Sequence, residues 1–232
     1  MRMKKKITVL TGAGVSAESG INTFRDAGGL WEGHDVMEVA SPQGFSKNPE
    51  LVLNFYNQRR RQLQEVSPNR AHTALVALES HFEVTIITQN VDNLHERAGS
   101  SNVIHLHGQL LKVRSTGDDT LVLDWTEDLN LGDKCKMGHQ LRPHIVWFGE
   151  EVPLLEKSAA ITQTADILLI IGTSMQVYPA AGLVNYVREG TPIYFVDPKP
   201  SVSKYDFENL TIIPKNAGEG VSELVTDLLE EN

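Results

Sequence analysis

Two histidines, His105 and His107, lie two positions apart in the segment NVIHLHG. An imidazole with an ordinary pKa of about 6.5 suits a general base at neutral pH. On a strand the two would share a face, so spacing does not choose between them. Asn90 and Asp92, in TQNVDN, are polar groups able to orient a sugar, and Asp92 could equally cap a helix. Gly12-Ala13-Gly14 follows a short apolar run, with Ser16 and Ala17 just beyond. Gly12 permits a tight turn, Gly14 lets backbone approach a ligand, and Ala17 fills the third small position of a G-x-G-x-x-G/A pattern. The first amides of a helix beginning at Ser16 would then face a pyrophosphate. Tyr56 and Arg59 are three apart and share one side of a helix. A guanidinium beside a phenol is a receptor for a short chain ending in carboxylate. By spacing alone, however, Arg59-Arg60-Arg61 reads as a solvated basic run.

These groups need elements to place them. Strands are expected over 6–11, 82–88, 102–107, 167–171, 193–196 and 210–213, with an extended piece at 144–148. Helices are expected over 50–64, 71–78, 93–98 and 221–229. Strands alternating with helices imply an α/β, Rossmann-like, doubly wound parallel sheet. One domain over 1–232 is expected, its core formed by 1–27, 71–111 and 144–232. A helical insertion at 28–70 and a small polar module at 112–143 complete it. Ligands of such sheets bind outside the carboxyl ends of the strands. Small or polar residues follow each expected end, from Gly12-Ala13-Gly14 through Gly172-Thr173-Ser174 to Asp197 and Asn216-Ala217. A hydride-transfer enzyme would place a ribose-binding acid about 20 residues after the glycine turn, within a second strand. Here the chain opens into an insertion instead.

The chain of 232 residues, 41% hydrophobic, can bury a full core. Its net charge of −9 argues against nucleic-acid binding and leaves basic peptides as partners. The apolar run after MRMKKK is too short for a signal peptide, and no stretch is long enough to span a membrane. The single cysteine, Cys135, excludes an intrachain disulfide and fits the cytoplasm.

In this order, GAGVSAESGINTFRD, TQNVDNLHERAG, HLHG, VWFGE and GTSMQVYPAAGL resemble the sirtuins, NAD-dependent protein-lysine deacylases, over nearly the whole chain. GLWEGHDVMEVASPQGF and FYNQRRRQL resemble their bacterial class III branch, associated with removal of acidic acyl groups. The resemblance implies NAD as cofactor and acyl-lysine proteins or peptides as substrates. In that family nicotinamide leaves NAD and the acyl oxygen attacks the anomeric carbon. A histidine then helps deprotonate a ribose hydroxyl, and the acyl group ends on ADP-ribose. The resemblance gives the histidine's part to His107, leaving His105 as a hydrogen-bonded core residue. It implies catalytic parts for Asn90 and Asp92 as well. Cofactor contacts are implied for Gly12, Ala13, Gly14, Ser16, Phe24, Arg25, Trp31, Gln89, Gly172, Thr173, Ser174, Asp197 and Ala217. Asp197 stands where asparagine is more usual, and Asn22 where proline is. Val146, Trp147, Phe148 and Gly149 are implied to pair with the substrate backbone by strand addition. Ala40, Tyr56 and Arg59 would line an acyl pocket suited to succinyl and malonyl groups, with acetyl removal kept alongside.

Sirtuins usually hold a structural zinc with four cysteines in the small module. Tetrahedral zinc needs four N or S ligands, whereas this chain offers Cys135, with His139 four residues on and Ser115 near an expected ligand position. No metal is expected, and the module should hold by packing through Val113, Leu121, Leu123 and Trp125. A monomer is expected, with no nucleic-acid or membrane partner. Two rival readings are mono-ADP-ribosyl transfer to a protein and a non-catalytic NAD or ADP-ribose sensor.

Overall fold

Apolar runs without alternation, such as ILLII at Ile167–Ile171, are stable as strands only where both faces of their sheet are covered. A computed structural model describes residues 4–22, 30–203 and 205–231 and shows that covering. The strands are β1 (Lys6–Thr11), β2 (Leu30–Trp31), β3 (His34–Asp35), β4 (Glu83–Thr88), β5 (Val103–His105), β6 (Gly108–Ser115), β7 (Val122–Asp124), β8 (Leu141–Ile145), β9 (Ile167–Ile171), β10 (Ile193–Val196) and β11 (Leu210–Ile213). The helices are α1 (Val36–Val39), α2 (Pro42–Lys47), α3 (Pro49–Glu65), α4 (Arg70–Leu78), α5 (Leu94–Ala98), α6 (Leu155–Gln163) and α7 (Ala217–Glu230).

The main sheet has six parallel strands in the order β11-β10-β9-β1-β4-β5. On one face Leu75 and Leu78 of α4 and Val221 and Leu224 of α7 pack against Ile7, Val9, Ile86 and Leu169. On the other, α6 and the 3-10 segment Ala180–Tyr186 bring Ala159, Leu183 and Val184 against Leu10, Ile87, Leu168 and Phe195. This is the expected α/β, Rossmann-like, doubly wound sheet. The winding reverses between β1 and β9, so a crevice opens there at the carboxyl ends.

Helix α3 starts where Asn48 accepts from the Leu51 amide and Pro49 supplies a fixed φ in the first turn. Its basic run is not solvated as spacing suggested. Arg60 is wholly buried, its Nη1 donating to Asn57 Oδ1 at 2.6 Å and its Nε to the Leu110 carbonyl at 3.2 Å. Arg61 alone of the three stays exposed, near Asp128.

A second sheet, antiparallel in the order β7-β6-β8, forms the small module. Val113, Leu129, Leu141 and Cys135 cluster there with Leu53 of α3, and Leu121 and Trp125 pack on them. Leu123, expected in that core, is instead exposed on β7. Cys135 Sγ lies 3.4 Å from Ser115 Oγ. Among the described residues no group of three His, Cys, Asp or Glu side chains is placed to hold a metal, and no helix is long and apolar enough to cross a membrane.

Three local expectations fail for glycine reasons. The helix from Ser16 is replaced by 3-10 turns at Ala13–Val15 and Ala17–Ser19, ended by Gly20 at φ 94°. The strand expected through His107 stops at His105, because Gly108 at φ 84° turns the chain into β6. The extended piece expected through Phe148 stops at Ile145, ahead of a turn closed by Gly149 at φ 91°.

Candidate active site

The turns that follow β1 and β9 interlock. Gly12 N–H donates to the Ile171 carbonyl at 3.0 Å, and Gly14 N–H to that of Gly172 at 2.8 Å. A Cβ on Gly12 would lie 2.7 Å from Gly172 O, and one on Gly14 would lie 2.6 Å from Gly172 Cα. The room that Gly14 was expected to leave for a ligand is therefore taken up by Gly172. Of the amides expected to face a pyrophosphate, that of Ser16 is engaged with Ala13 O, because the segment winds as tight turns.

A cleft of about 710 Å³ opens over this joint. Gly12, Ala13 and Gly14 line it from β1, and Gln89, Asn90 and Asp92 from β4. Gly172, Thr173 and Ser174 join from β9, Asp197 from β10 and Ala217 from the start of α7. His107, Trp31, Ala40, Arg59 and Val146 to Gly149 complete the expected set within the lining. Ser16 and Tyr56 do not reach it, both being fully buried behind the wall. Phe24 and Arg25 lie outside the described residues.

Buried polar groups must find partners, and here they fix one another. Ser16 Oγ donates to Asp92 Oδ2 at 3.0 Å and accepts from Asn90 Nδ2 at 3.2 Å. Asp92 Oδ1 takes the amide of Leu94, the first residue of α5, at 3.1 Å. Burial raises the Asp92 pKa above its ordinary value, against those two bonds. The two histidines separate clearly. His107 Nδ1 donates to the Gln89 carbonyl at 3.1 Å, which leaves the lone pair on Nε2 for the cleft. His105 Nδ1 donates to the Asn90 carbonyl at 3.0 Å, and its Nε2 meets Glu96 at 2.6 Å. His105 is thus the buried, fully bonded residue. Burial lowers the His107 pKa below 6.5, with the Gln89 bond opposing.

The segment after β8 is locked from below. Glu150 Oε2 accepts from the Trp147 amide at 2.8 Å and from Arg114 at 2.9 Å, while Arg142 bonds both of its oxygens. Burial opposes ionisation of Glu150, but the Arg142 and Trp147 bonds outweigh it and hold the carboxyl below its usual range. The Val146 amide is bonded to His107 O and the Phe148 amide to Ala40 O. The Val146 and Phe148 amides thus already have acceptors within the fold.

Tyr56 was expected to face a carboxylate, but its hydroxyl accepts from Trp147 Nε1 at 2.9 Å instead. Arg59 carries that position alone. Its guanidinium sits 4.4 Å over the Phe55 ring, and its Nε and Nη1 are buried with no partner among the described residues. Sequence reasoning missed two carboxylates here. Glu18 lines the cleft and caps α7, its Oε2 2.6 Å from the Gly218 amide. A contact across 200 positions leaves no local trace. Glu32 lines the cleft beside Arg59; the two-residue Glu32-Gly33 turn between Trp31 and His34 was the available signal.

Comparison with known proteins bears on the same residues. A family profile described as the Sir2 family matches residues 12–179. An NAD-dependent protein deacylase of Helicobacter pylori (strain J99 / ATCC 700824) is 58% identical over 226 residues, 97% of this chain and 96% of that one. A solved Sir2 homologue in complex with NAD shares 40% identity at a TM-score of 0.88, over 98% of this chain and 91% of the other. A Sir2 protein bound to acetylated peptide shares 29% identity at a TM-score of 0.78, over 98% and 93%.

Proposed function

Because the chain belongs to the Sir2 family, we propose that its cleft removes acyl groups from protein lysines in an NAD-dependent reaction and favours short acyl chains ending in carboxylate. The observation that carries the acyl preference is Arg59, a cation in the cleft wall with two buried N–H groups unmatched among the described residues. Burial draws the Arg59 pKa down from its ordinary value, with the nearby Glu32 charge opposing. A carboxylate reaching it would satisfy donors that are otherwise costly to bury.

The donor set fits NAD. A crevice at the switch point of a parallel sheet, floored by interlocked glycine turns, is where a dinucleotide lies. NAD, when bound, supplies the ADP-ribosyl group that accepts the acyl chain as nicotinamide leaves. The chain's own work is orientation and proton handling. Asn90 and Asp92, fixed by Ser16, present an amide and a carboxyl at the carboxyl end of β4. His107, held by Gln89, offers Nε2 as the acceptor of a sugar hydroxyl proton. We place this activity in the cytoplasm, since the one thiol is buried and suits reducing conditions.

A base with a lowered pKa is unprotonated at neutral pH and becomes protonated only as pH falls through that lowered value. The acid limb of kcat/KM should therefore lie below pH 6.5 and vanish in a His107 variant. A limb above 6.5 would assign the base elsewhere.

Mass spectrometry of a succinyl-lysine peptide incubated with NAD tests the reaction. O-succinyl-ADP-ribose with free lysine is expected; a modified protein would mean ADP-ribosyl transfer, and unchanged NAD a sensor. In the same assay Arg59→Met should cost about tenfold to a hundredfold on succinyl-lysine, the scale of lost charged hydrogen bonds, and little on acetyl-lysine. Equal loss on both would remove the carboxylate role.

A further inference from the structure

Arg59 already has a carboxylate beside it. Glu32 Oε2 lies 3.9 Å from its Nη2, and the two side chains are 21% and 15% exposed respectively. The placement of Glu32 is built into the chain. It opens the two-residue turn between β2 and β3 at φ 50°, followed by Gly33 at 81°. A side chain at positive φ is disfavoured, so the turn is held there by its surroundings. Asn22 Nδ2 donates to Glu32 Oε1 at 3.2 Å, tethering the carboxylate from a second side. One nitrogen of Arg59 thus faces a resident carboxylate, while Nε and Nη1 have no partner among the described residues.

We infer that Glu32 is a specificity-determining residue, a resident counter-charge that competes with the terminal carboxylate of an acidic acyl chain and lets the same pocket take neutral ones. This rests on the reading of Arg59 as a carboxylate receptor. With a neutral acyl chain bound and water displaced, Glu32 keeps the guanidinium compensated, where otherwise it would be a partly buried charge without an anion. With an acidic chain bound, two carboxylates share one guanidinium. Their repulsion is several-fold stronger in a partly dry site than in bulk water. Glu32 therefore weakens the binding of acidic chains and supports that of neutral ones.

The test is Glu32→Gln, which keeps the side-chain length and an oxygen for Asn22. Steady-state kinetics at saturating NAD would use one peptide in succinyl-lysine and acetyl-lysine forms. The succinyl-to-acetyl ratio of kcat/KM should rise about fivefold, mostly through a lower KM for the succinyl peptide. The gain should shrink in high salt, because screening already weakens the repulsion in the parent. Glu32→Asn, whose side chain tolerates positive φ, should move the ratio the same way. An unchanged or lower ratio in both variants overturns the inference. Arg59→Met run beside them separates the two claims. If it loses the succinyl substrate selectively while the Glu32 variants leave the ratio unmoved, the receptor stands and Glu32's part falls. If it loses both substrates equally, the receptor falls and the inference with it.

Discussion

Replacing His107 by alanine should lower kcat for lysine deacylation by about a thousandfold, within the 10²–10⁴ range of a positioned general base. The expectation rests on one hydrogen bond. Because Nδ1 donates to the Gln89 carbonyl, the tautomer is set and Nε2 holds the lone pair in the cleft. Neither Asn90 nor Asp92 replaces it. Asn90 has no titrating group, and both Asp92 oxygens are bonded, one to Ser16 and one to Leu94. NAD affinity should survive, since the glycine joint lies on β1 and β9 and does not involve this side chain. Calorimetric NAD titration alongside product analysis makes the distinction. Deacylation at the parent rate with intact NAD binding would show that the proton goes elsewhere.

The second large effect concerns Gly172. A Cβ there would collide with the Val15 amide nitrogen and lie 2.5 Å from the Gly14 carbonyl carbon, both backbone atoms. The residue also has φ 60°. Strain of the left-handed region and a collision with rigid neighbours add, so Gly172→Ala should destabilise the fold by about 3 kcal/mol. For a chain of this size that is a fall in Tm on the order of 10 °C. The NAD-induced rise in Tm should shrink too, because the two turns that floor the cleft must separate to make room. Gly132→Ala is the control, also at positive φ (99°) but with nothing within 4 Å of its Cβ. Equal Tm values for the two variants would show that the interlock contributes nothing beyond local strain.

Much of this is legible in the chain, and the remainder fails for identifiable reasons. The buried strands announce themselves through unbroken aliphatic runs such as ILLII, and their polar ends place the cleft. The choice between His105 and His107 is beyond period-2 reasoning, because the strand ends at His105 and Gly108 re-aims the chain toward β6. The helix expected after the glycine turn does not form, since Gly20 stops the chain after two tight turns. Tyr56 and Arg59 do share α3, as spacing requires. Which of them meets the cleft depends on Trp147, 91 positions away, capturing the phenol. Arg60 misleads most: a basic run looks solvated until a partner such as Asn57 and the Leu110 carbonyl arrive from the fold.

The bond between Glu18 and Gly218 has a bearing on how the molecule comes into being. The helix that Glu18 caps is synthesised about 200 residues after the glycine turn. Until Val221, Leu224, Val225 and Leu228 of that helix settle on Ile7, Val9 and Leu169, α4 alone covers that face of the central strands. A chain whose α7 has not yet docked therefore holds an incomplete pocket, and NAD meets a competent protein only once that helix is in place.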